Sequence, residues 1–246
     1  MYDARMQNRF LPGVPTALVE AALLKAGGNE LDGKFDNPRS SAALAVNGFG
    51  WFIERPHLLP RLPGLDDVPL AGAQVTVERQ MRFPWSGGRH PWLDAAIETA
   101  NHLIGVESKR YEPFRSAKPA KLSNKYSEYL WGEGMEAWNA VRDRLLAEPR
   151  LYRHLDGAQL VKHAYGLATE GDRRGKIAVL HYIYAEPSDA ADEQAFALHR
   201  EEISDLARRV QGARVRFAAC SWSQWLAKFS GETADHARAI ENRYLL

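Results

Sequence analysis

Two apolar segments joined by a two-residue turn constrain the fold of this chain more than any other feature. The segment "WLDAAIETANHLIGVESK", residues 92–109, is long enough for two strands, with Ala100-Asn101 between them. The preceding stretch "AQVTVERQMRF" alternates apolar and polar residues as a half-buried strand does. "PWSGGRHP" supplies the glycines of a turn between the two regions. The pattern therefore predicts three consecutive antiparallel strands.

The length of the second turn decides which side chains share a face of this hairpin. With Ala100-Asn101 as the loop, the register sets Asp94 directly opposite Glu107. Lys109 lies on the same face as Glu107, because side chains alternate along a strand. A different loop length would move the two carboxylates to diagonal positions or to opposite faces, so the prediction depends on this turn.

Two carboxylates at directly opposite positions repel each other unless something neutralises them. A proton shared between them, the ammonium group of Lys109 or a divalent cation would each do so. Mg²⁺ prefers oxygen ligands and often takes only one or two protein carboxylates, with water and phosphate completing its shell. The peptide carbonyl at Ser108 could add another oxygen. The arrangement is therefore a plausible site for metal-assisted hydrolysis of a phosphodiester.

The rest of the chain adds helices and two further strands. "GKIAVLHYIYAEP" is rich in β-branched and aromatic residues and predicts a strand, and "ARVRFAACSW" predicts the last one. Helices are expected at 15–26, from Ser40 to before Pro56, at 126–147, from Asp156 to Gly171, at 189–211 and after the last strand. The order predicts an α/β fold with a mixed central β-sheet flanked by α-helices. We expect one domain over 1–246, with 1–39 an N-terminal extension and 110–150 a basic linker plus a helical insertion.

Composition excludes several function classes. The chain has one cysteine, Cys220, which excludes an internal disulfide framework and a cysteine-based zinc site. Its apolar runs are short for a membrane span, and no apolar signal region is visible, so we expect a cytoplasmic protein. There is no P-loop, Rossmann fingerprint or Gly-x-Ser-x-Gly elbow. The net charge is only +1, yet Lys and Arg cluster in "ESKRYEPFRSAKPAKLSNKY", "EGDRRGK" and "LARRVQGARVR".

The hairpin resembles the active strands of the PD-(D/E)xK, or restriction-endonuclease-like, nuclease superfamily. It reads "PWLD" on the second strand and "ESK" on the third, with a helix before the strands and a helix and strand after them. The resemblance implies that Asp94 and Glu107 hold Mg²⁺, or Mn²⁺ in its place, and that Lys109 assists the attacking water. Four stretches resemble a bacterial group of restriction-endonuclease-like proteins: "NELDGKFDNPRSSAALAVN", "RFPWSGGRHPWLDAAIET", "GVESKRYEPFR" and "HLDGAQLVKHAYGL".

A second resemblance concerns the helix predicted after Asp156. "AQLVKHAYGL", residues 158–167, is similar to the Gln-containing helix that follows the active strands in RecB-type members. It implies that Gln159 leans toward the site and that Lys162 or His163 lies one turn on. RecB-type members often have Tyr where this chain has His163. The alternative is an amphipathic helix in which Gln159 merely lies near the N-terminus.

Members of the superfamily often place an extra acidic residue near the metal. Glu30 is the residue we favour for this third ligand, because it lies in a stretch that matches the bacterial group. Glu20, Glu54 and Glu78 are the alternatives. If Glu30 is not a metal ligand, it is a solvated loop residue or a helix cap.

Three functional hypotheses follow. The first is a Mg²⁺-dependent nuclease that acts on DNA, with Arg110, Lys162, Arg173 and Arg174 contacting phosphates. A homodimer would allow both strands to be cut, although the sequence shows no interface. The second is a nucleic-acid-binding protein that keeps the fold without catalysis. The third is an unrelated α/β protein in which the hairpin charges form a structural ion pair.

Overall fold

A five-stranded sheet forms the centre of the computed structural model, which describes residues 9–27, 35–37, 39–244 and 246. The strands are β1 (Gln74–Gln80), β2 (Trp92–Glu98), β3 (His102–Lys109), β4 (Ile177–Tyr184) and β5 (Arg216–Ser221). They lie side by side in chain order. The first three pair antiparallel, whereas β3 with β4 and β4 with β5 pair parallel. The predicted α/β fold with a mixed sheet is confirmed.

Helices cover both faces of this sheet. They are α1 (Thr16–Lys25), α2 (Ser41–Gly50), α3 (Lys125–Glu128), α4 (Glu136–Ala147), α5 (Gly157–Arg174), α6 (Glu193–Arg209), α7 (Trp222–Leu226) and α8 (Ala234–Tyr244). One apolar core joins the sheet to α1, α2, α7 and α8, with Trp222 and Trp225 fully buried in it. A second core joins the opposite face to α4, α5 and α6 around Trp138. The hairpin of β2 and β3 therefore lies between two helical layers.

The hairpin between β2 and β3 has the predicted register. Ala95 pairs with Val106 and Ile97 with Ile104. The Thr99 amide donates to the His102 carbonyl at 2.9 Å, which leaves Ala100-Asn101 as the two-residue loop. The paired residues end at Ala95 and Val106, so Asp94 and Glu107 are the next residues of the two strands beyond this last pair.

Two of the predicted helices differ from the structure. The helix expected at 126–147 is interrupted, since Gly132 and Gly134 adopt positive φ angles of 84° and 78°, a conformation that suits glycine and ends a helix. The segment after the last strand forms α7 and α8 rather than a single helix. Within the part of the chain that the structure describes, no helix is both long and apolar enough to cross a membrane.

Helix α5 begins as predicted but continues past its predicted end at Gly171. The Asp156 side chain accepts a hydrogen bond from the Gln159 amide at 2.9 Å, which caps the first turn. Gly175 ends the helix in the left-handed conformation with φ 62°. A Cβ at Gly171 would lie 2.9 Å from the Lys176 carbonyl oxygen. Gly171 therefore serves the close packing of the helix on the chain that enters β4.

Candidate active site

Asp94 on β2 and the Glu107 to Lys109 segment of β3 converge at one end of the hairpin. Asp94 Oδ2 accepts a hydrogen bond from the Ser108 amide at 2.6 Å, so this carboxylate is held against the backbone of the neighbouring strand. The Ser108 side chain points to the other face, where its Oγ accepts from Trp222 Nε1 at 3.2 Å. Because side chains alternate, Glu107 and Lys109 point toward the α5 layer.

The Glu107 carboxylate is buried between two basic side chains. Only 3% of the Glu107 side chain and 15% of the Lys109 side chain are exposed. Lys109 Nζ lies 2.5 Å from Glu107 Oε1. On the other side, His163 Nε2 of α5 lies 2.9 Å from Oε2, at ion-pair distance but not aligned for a hydrogen bond. Each carboxylate oxygen therefore faces a different basic group.

The protonation of the three groups follows from burial and from their mutual charges. Burial raises the pKa of Asp94 well above its ordinary value, and the charge of Glu107 raises it further. Burial would also raise the pKa of Glu107, but Lys109 and His163 outweigh it and lower that pKa to about 2. Burial would lower the pKa of Lys109, but Glu107 and Asp94 raise it above its ordinary value. At neutral pH, Glu107 and Lys109 are therefore charged, and Asp94 is the carboxyl group of the pair that binds a proton more readily.

The sequence of the whole chain matches one known family. A family model described as "Restriction Endonuclease associating with ARP" matches residues 2–245. The chain belongs to this restriction endonuclease family. No curated protein and no solved structure matches it. The predicted restriction-endonuclease-like resemblance is confirmed, while the roles of single residues in this family member stay predictions.

The donor set of this family member suits a hard divalent cation. Within the described residues, no group of three or more His, Cys, Asp and Glu side chains could hold a metal ion, so a site would depend on Asp94 and Glu107. Two carboxylates suffice for Mg²⁺ when water and phosphate complete the shell. Both Glu107 oxygens already face basic groups, but each carboxylate oxygen has two lone pairs. The two residues therefore fit Mg²⁺ in number and chemistry.

The predicted residues of α5 lie beside the same site. Gln159 and Lys162 line a cavity of about 590 Å³ that also exposes Lys109. Gln159 is half-buried near the N-terminus of the helix, one turn before His163. His163, which the sequence left as an alternative to Lys162, is the residue that contacts Glu107. The helix thus brings one polar side chain to the cavity wall and another to the carboxylate.

The three arginines predicted to bind nucleic acid lie away from this cavity. Arg110 is 3% exposed and donates to the Tyr244 carbonyl. Arg173 Nη1 donates to Glu170 at 2.9 Å, and Arg174 binds Glu170 and Glu98. These two arginines occupy the C-terminal end of α5, whereas the cavity lies at its N-terminal end. Arg110 is buried, whereas Arg173 and Arg174 are exposed and ion-paired, so the phosphate contacts expected for these three residues stay a prediction.

The third acidic ligand is not fixed by the structure. Glu30, the favoured candidate, lies outside the described residues. Glu78, one of the alternatives, lies across from Asp94 in β1, between the strand pairs Val77–Ala95 and Arg79–Leu93. Its charge contributes to the raised pKa of Asp94. Glu78 has φ 50°, the one positive value at a non-glycine residue in the described part of the chain.

Proposed function

We propose that this restriction endonuclease family member is a Mg²⁺-dependent nuclease that hydrolyses phosphodiester bonds of DNA. The observation that carries the proposal is the convergence of a half-buried carboxyl group, a buried carboxyl group and one ammonium group at the end of one hairpin. Opposed carboxylates are costly for a fold, and this pair lies beside an open cavity. A reaction that needs a bound cation would explain why the protein keeps two carboxylates close together despite their repulsion.

Asp94 and Glu107 would hold the Mg²⁺, for which Mn²⁺ could substitute. The bound ion would polarise a phosphoryl oxygen and lower the pKa of a bound water. The raised pKa of Asp94 supports this assignment, because a site that favours a proton on one carboxyl group also gains from a metal charge there.

Lys109 would act as a fixed positive charge. Its raised pKa keeps the ammonium group protonated at neutral pH, so it can donate to the phosphate or to the attacking water but does not serve as a base. Glu107 holds Lys109 at the cavity wall, and His163 packs against the other oxygen of that carboxylate. Gln159 can reach the cavity from α5 and would position water or phosphate.

One observation favours a second candidate, a DNA-binding protein without nuclease activity. Lys109 already compensates the charge of Glu107 without any metal, and His163 lies against the other oxygen of that carboxylate. If that arrangement were permanent, the carboxylate would be a structural ion pair beside a binding surface. Such a protein would bind DNA equally well in EDTA and in Mg²⁺ and would leave it intact.

Cleavage of supercoiled plasmid in Mg²⁺ tests the proposal. The wild type should nick or linearise the plasmid, and EDTA should abolish the activity. Lys109→Ala and Asp94→Asn should each lower the rate by about 10²–10³-fold, as loss of one electrostatic contact to a developing charge does. Lys25→Ala on α1, on the other side of the sheet, is the matched control and should leave the rate unchanged.

Equal cleavage by all four proteins would refute the assigned site. Absence of cleavage by a folded wild type, together with metal-independent DNA binding, would establish the second candidate. Calorimetric titration with Mn²⁺ gives an independent measurement, because Asp94→Asn should remove heat of binding that the wild type shows. Circular dichroism of each variant checks that the fold is intact.

A further inference from the structure

A surface of concentrated positive charge begins at Lys109 and continues away from the hairpin. The cavity of about 590 Å³ lies between the segment 112–121, the loop 149–156 and the start of α5. Its basic lining residues are Lys109, Arg115, Lys118, Lys121, Arg153 and Lys162. We call this cavity the basic cleft. Six positive side chains in one cleft are a strong concentration of charge in a chain whose net charge is +1.

The acidic side chains in the basic cleft are already engaged by the protein. They are Glu112 and Asp156. Glu112 accepts hydrogen bonds from the Ser41 hydroxyl and from the Arg110 amide. Asp156 caps α5 through the Gln159 amide. These two carboxylates therefore do not pair with the basic side chains of the cleft, whose positive charges can face a ligand.

A second cavity of about 740 Å³ adjoins the basic cleft and shares lining residues with it. Arg115, Lys118 and Arg153 line both, and Arg150 adds a further cation to the second one. The aromatic ring of Phe114 lines this second cavity, and His154 lines both, with the two ring centroids 5.8 Å apart. The two cavities form a groove that runs from Lys109 along one wall of basic side chains and passes an aromatic pair.

We infer that this groove holds the backbone of a single DNA strand, separated from its complement, with one phosphate delivered to Lys109. Positive grooves with aromatic rings for base stacking are the features that bind single strands. Cavities of about 300–1,000 Å³ hold drug-sized ligands, so the basic cleft has room for a short piece of one strand. The inference rests on the proposed function for its choice of DNA as the ligand.

The buried position of the site is consistent with binding of a single strand. The Glu107 side chain is 3% exposed, so a scissile phosphate has to approach Lys109 from within the basic cleft. A strand in a duplex would present its phosphates only at the rim. A frayed end or an unpaired stretch would present them inside.

Fluorescence anisotropy with a labelled 20-nucleotide single strand and with its blunt duplex tests the inference, in EDTA so that no cleavage occurs. The wild type should bind the single strand about tenfold more tightly than the duplex or better. The double variant Lys118→Gln/Lys121→Gln removes two exposed cations of the basic cleft and leaves the metal site intact. For single strands, log K falls with log salt by about 0.7 per phosphate contact, so two lost contacts weaken binding about 25-fold at 0.1 M salt and lower the slope by about 1.4.

The matched control is Lys25→Gln/Lys228→Gln, which also removes two exposed cations but from the layer on the opposite face of the sheet. It should bind the single strand as the wild type does. The inference is overturned if the cleft variant binds like this control, or if the duplex binds as tightly as the single strand. Failure of the proposed function looks different, because a protein that cleaves nothing in Mg²⁺ would still show selective single-strand binding in the basic cleft.

Discussion

Removing the charge of Glu107 should destabilise the fold strongly, because it leaves a buried ammonium group without its main partner. Glu107 Oε1 lies 2.5 Å from Lys109 Nζ, and the two side chains are only 3% and 15% exposed. Breaking a buried ion pair by removing one partner costs about 3–5 kcal/mol. Asp94 also attracts Lys109 and offers partial compensation, so we expect Glu107→Gln to cost about 3 kcal/mol.

A double-mutant cycle separates this effect from simple loss of packing. Lys109→Met removes the cation and leaves Glu107 beside His163. In the double variant Glu107→Gln/Lys109→Met, both charges are gone and the side-chain volumes are nearly kept. Replacing a buried pair with neutral groups of similar volume is often close to neutral. The double variant should therefore be more stable than the sum of the single effects predicts, by about 2 kcal/mol or more.

Urea unfolding at pH 7 in EDTA, followed by circular dichroism, measures the four free energies of unfolding. Glu148→Gln is the control, because Glu148 forms an exposed ion pair with Arg144 on α4 and its loss should cost less than about 1 kcal/mol. Additive single effects within about 0.5 kcal/mol would refute the coupling. A cost below about 1 kcal/mol for Glu107→Gln would show that the buried charge is compensated by other means.

Three further predictions concern stability. The raised pKa of Asp94 favours its protonated form in the folded state, so this stabilisation is present below the ordinary aspartate pKa of 3.8 and is lost as pH rises through the raised value; thermal unfolding in EDTA should show Asp94→Asn gaining stability over the wild type from pH 4 to pH 8, and a constant difference would contradict the shift. Gly105→Ala should destabilise by about 1–3 kcal/mol in urea unfolding, because its Cβ would lie 2.3 Å from Leu93 Cδ1 and 3.0 Å from Leu167 Cδ1; unchanged stability would refute this steric reading. Asp156→Ala should cost about 1 kcal/mol by loss of the α5 cap, seen as a fall in Tm of about 2–4 °C, whereas Asp156→Asn should retain most of it.

The hairpin could be predicted because its information is local. The apolar runs of β2 and β3, the two-residue loop Ala100-Asn101 and the alternation of side chains fix the register and the shared face. Asp94, Glu107 and Lys109 follow from that register alone. The N-cap at Asp156 could also be predicted from the sequence, since its hydrogen bond joins residues three positions apart.

Other features depended on contacts that no local pattern contains. In the sequence Gly171 looks like a helix end, but in the structure it allows α5 to pack closely against the start of β4. Arg110 looks like a phosphate ligand but is buried against the Tyr244 carbonyl, 134 positions along the chain. The partner of Glu107 on α5 is likewise set by how the helix packs on the sheet.

The sequence by itself determined the order of the elements, the mixed α/β class and the pairing of the two carboxyl residues, because each depends on periodicity and turn chemistry over a few residues. Only the tertiary structure decided which cations form ion pairs within the protein and which line the cleft, where a ligand can reach them. Arg173 and Arg174 pair with Glu170 on the same helix, and Arg174 also pairs with Glu98 of β2, whereas Lys118, Lys121 and Lys162 line the same cleft as Lys109. The physical reason is that the effect of a charge depends on its distance from other charges and from water, and folding sets both.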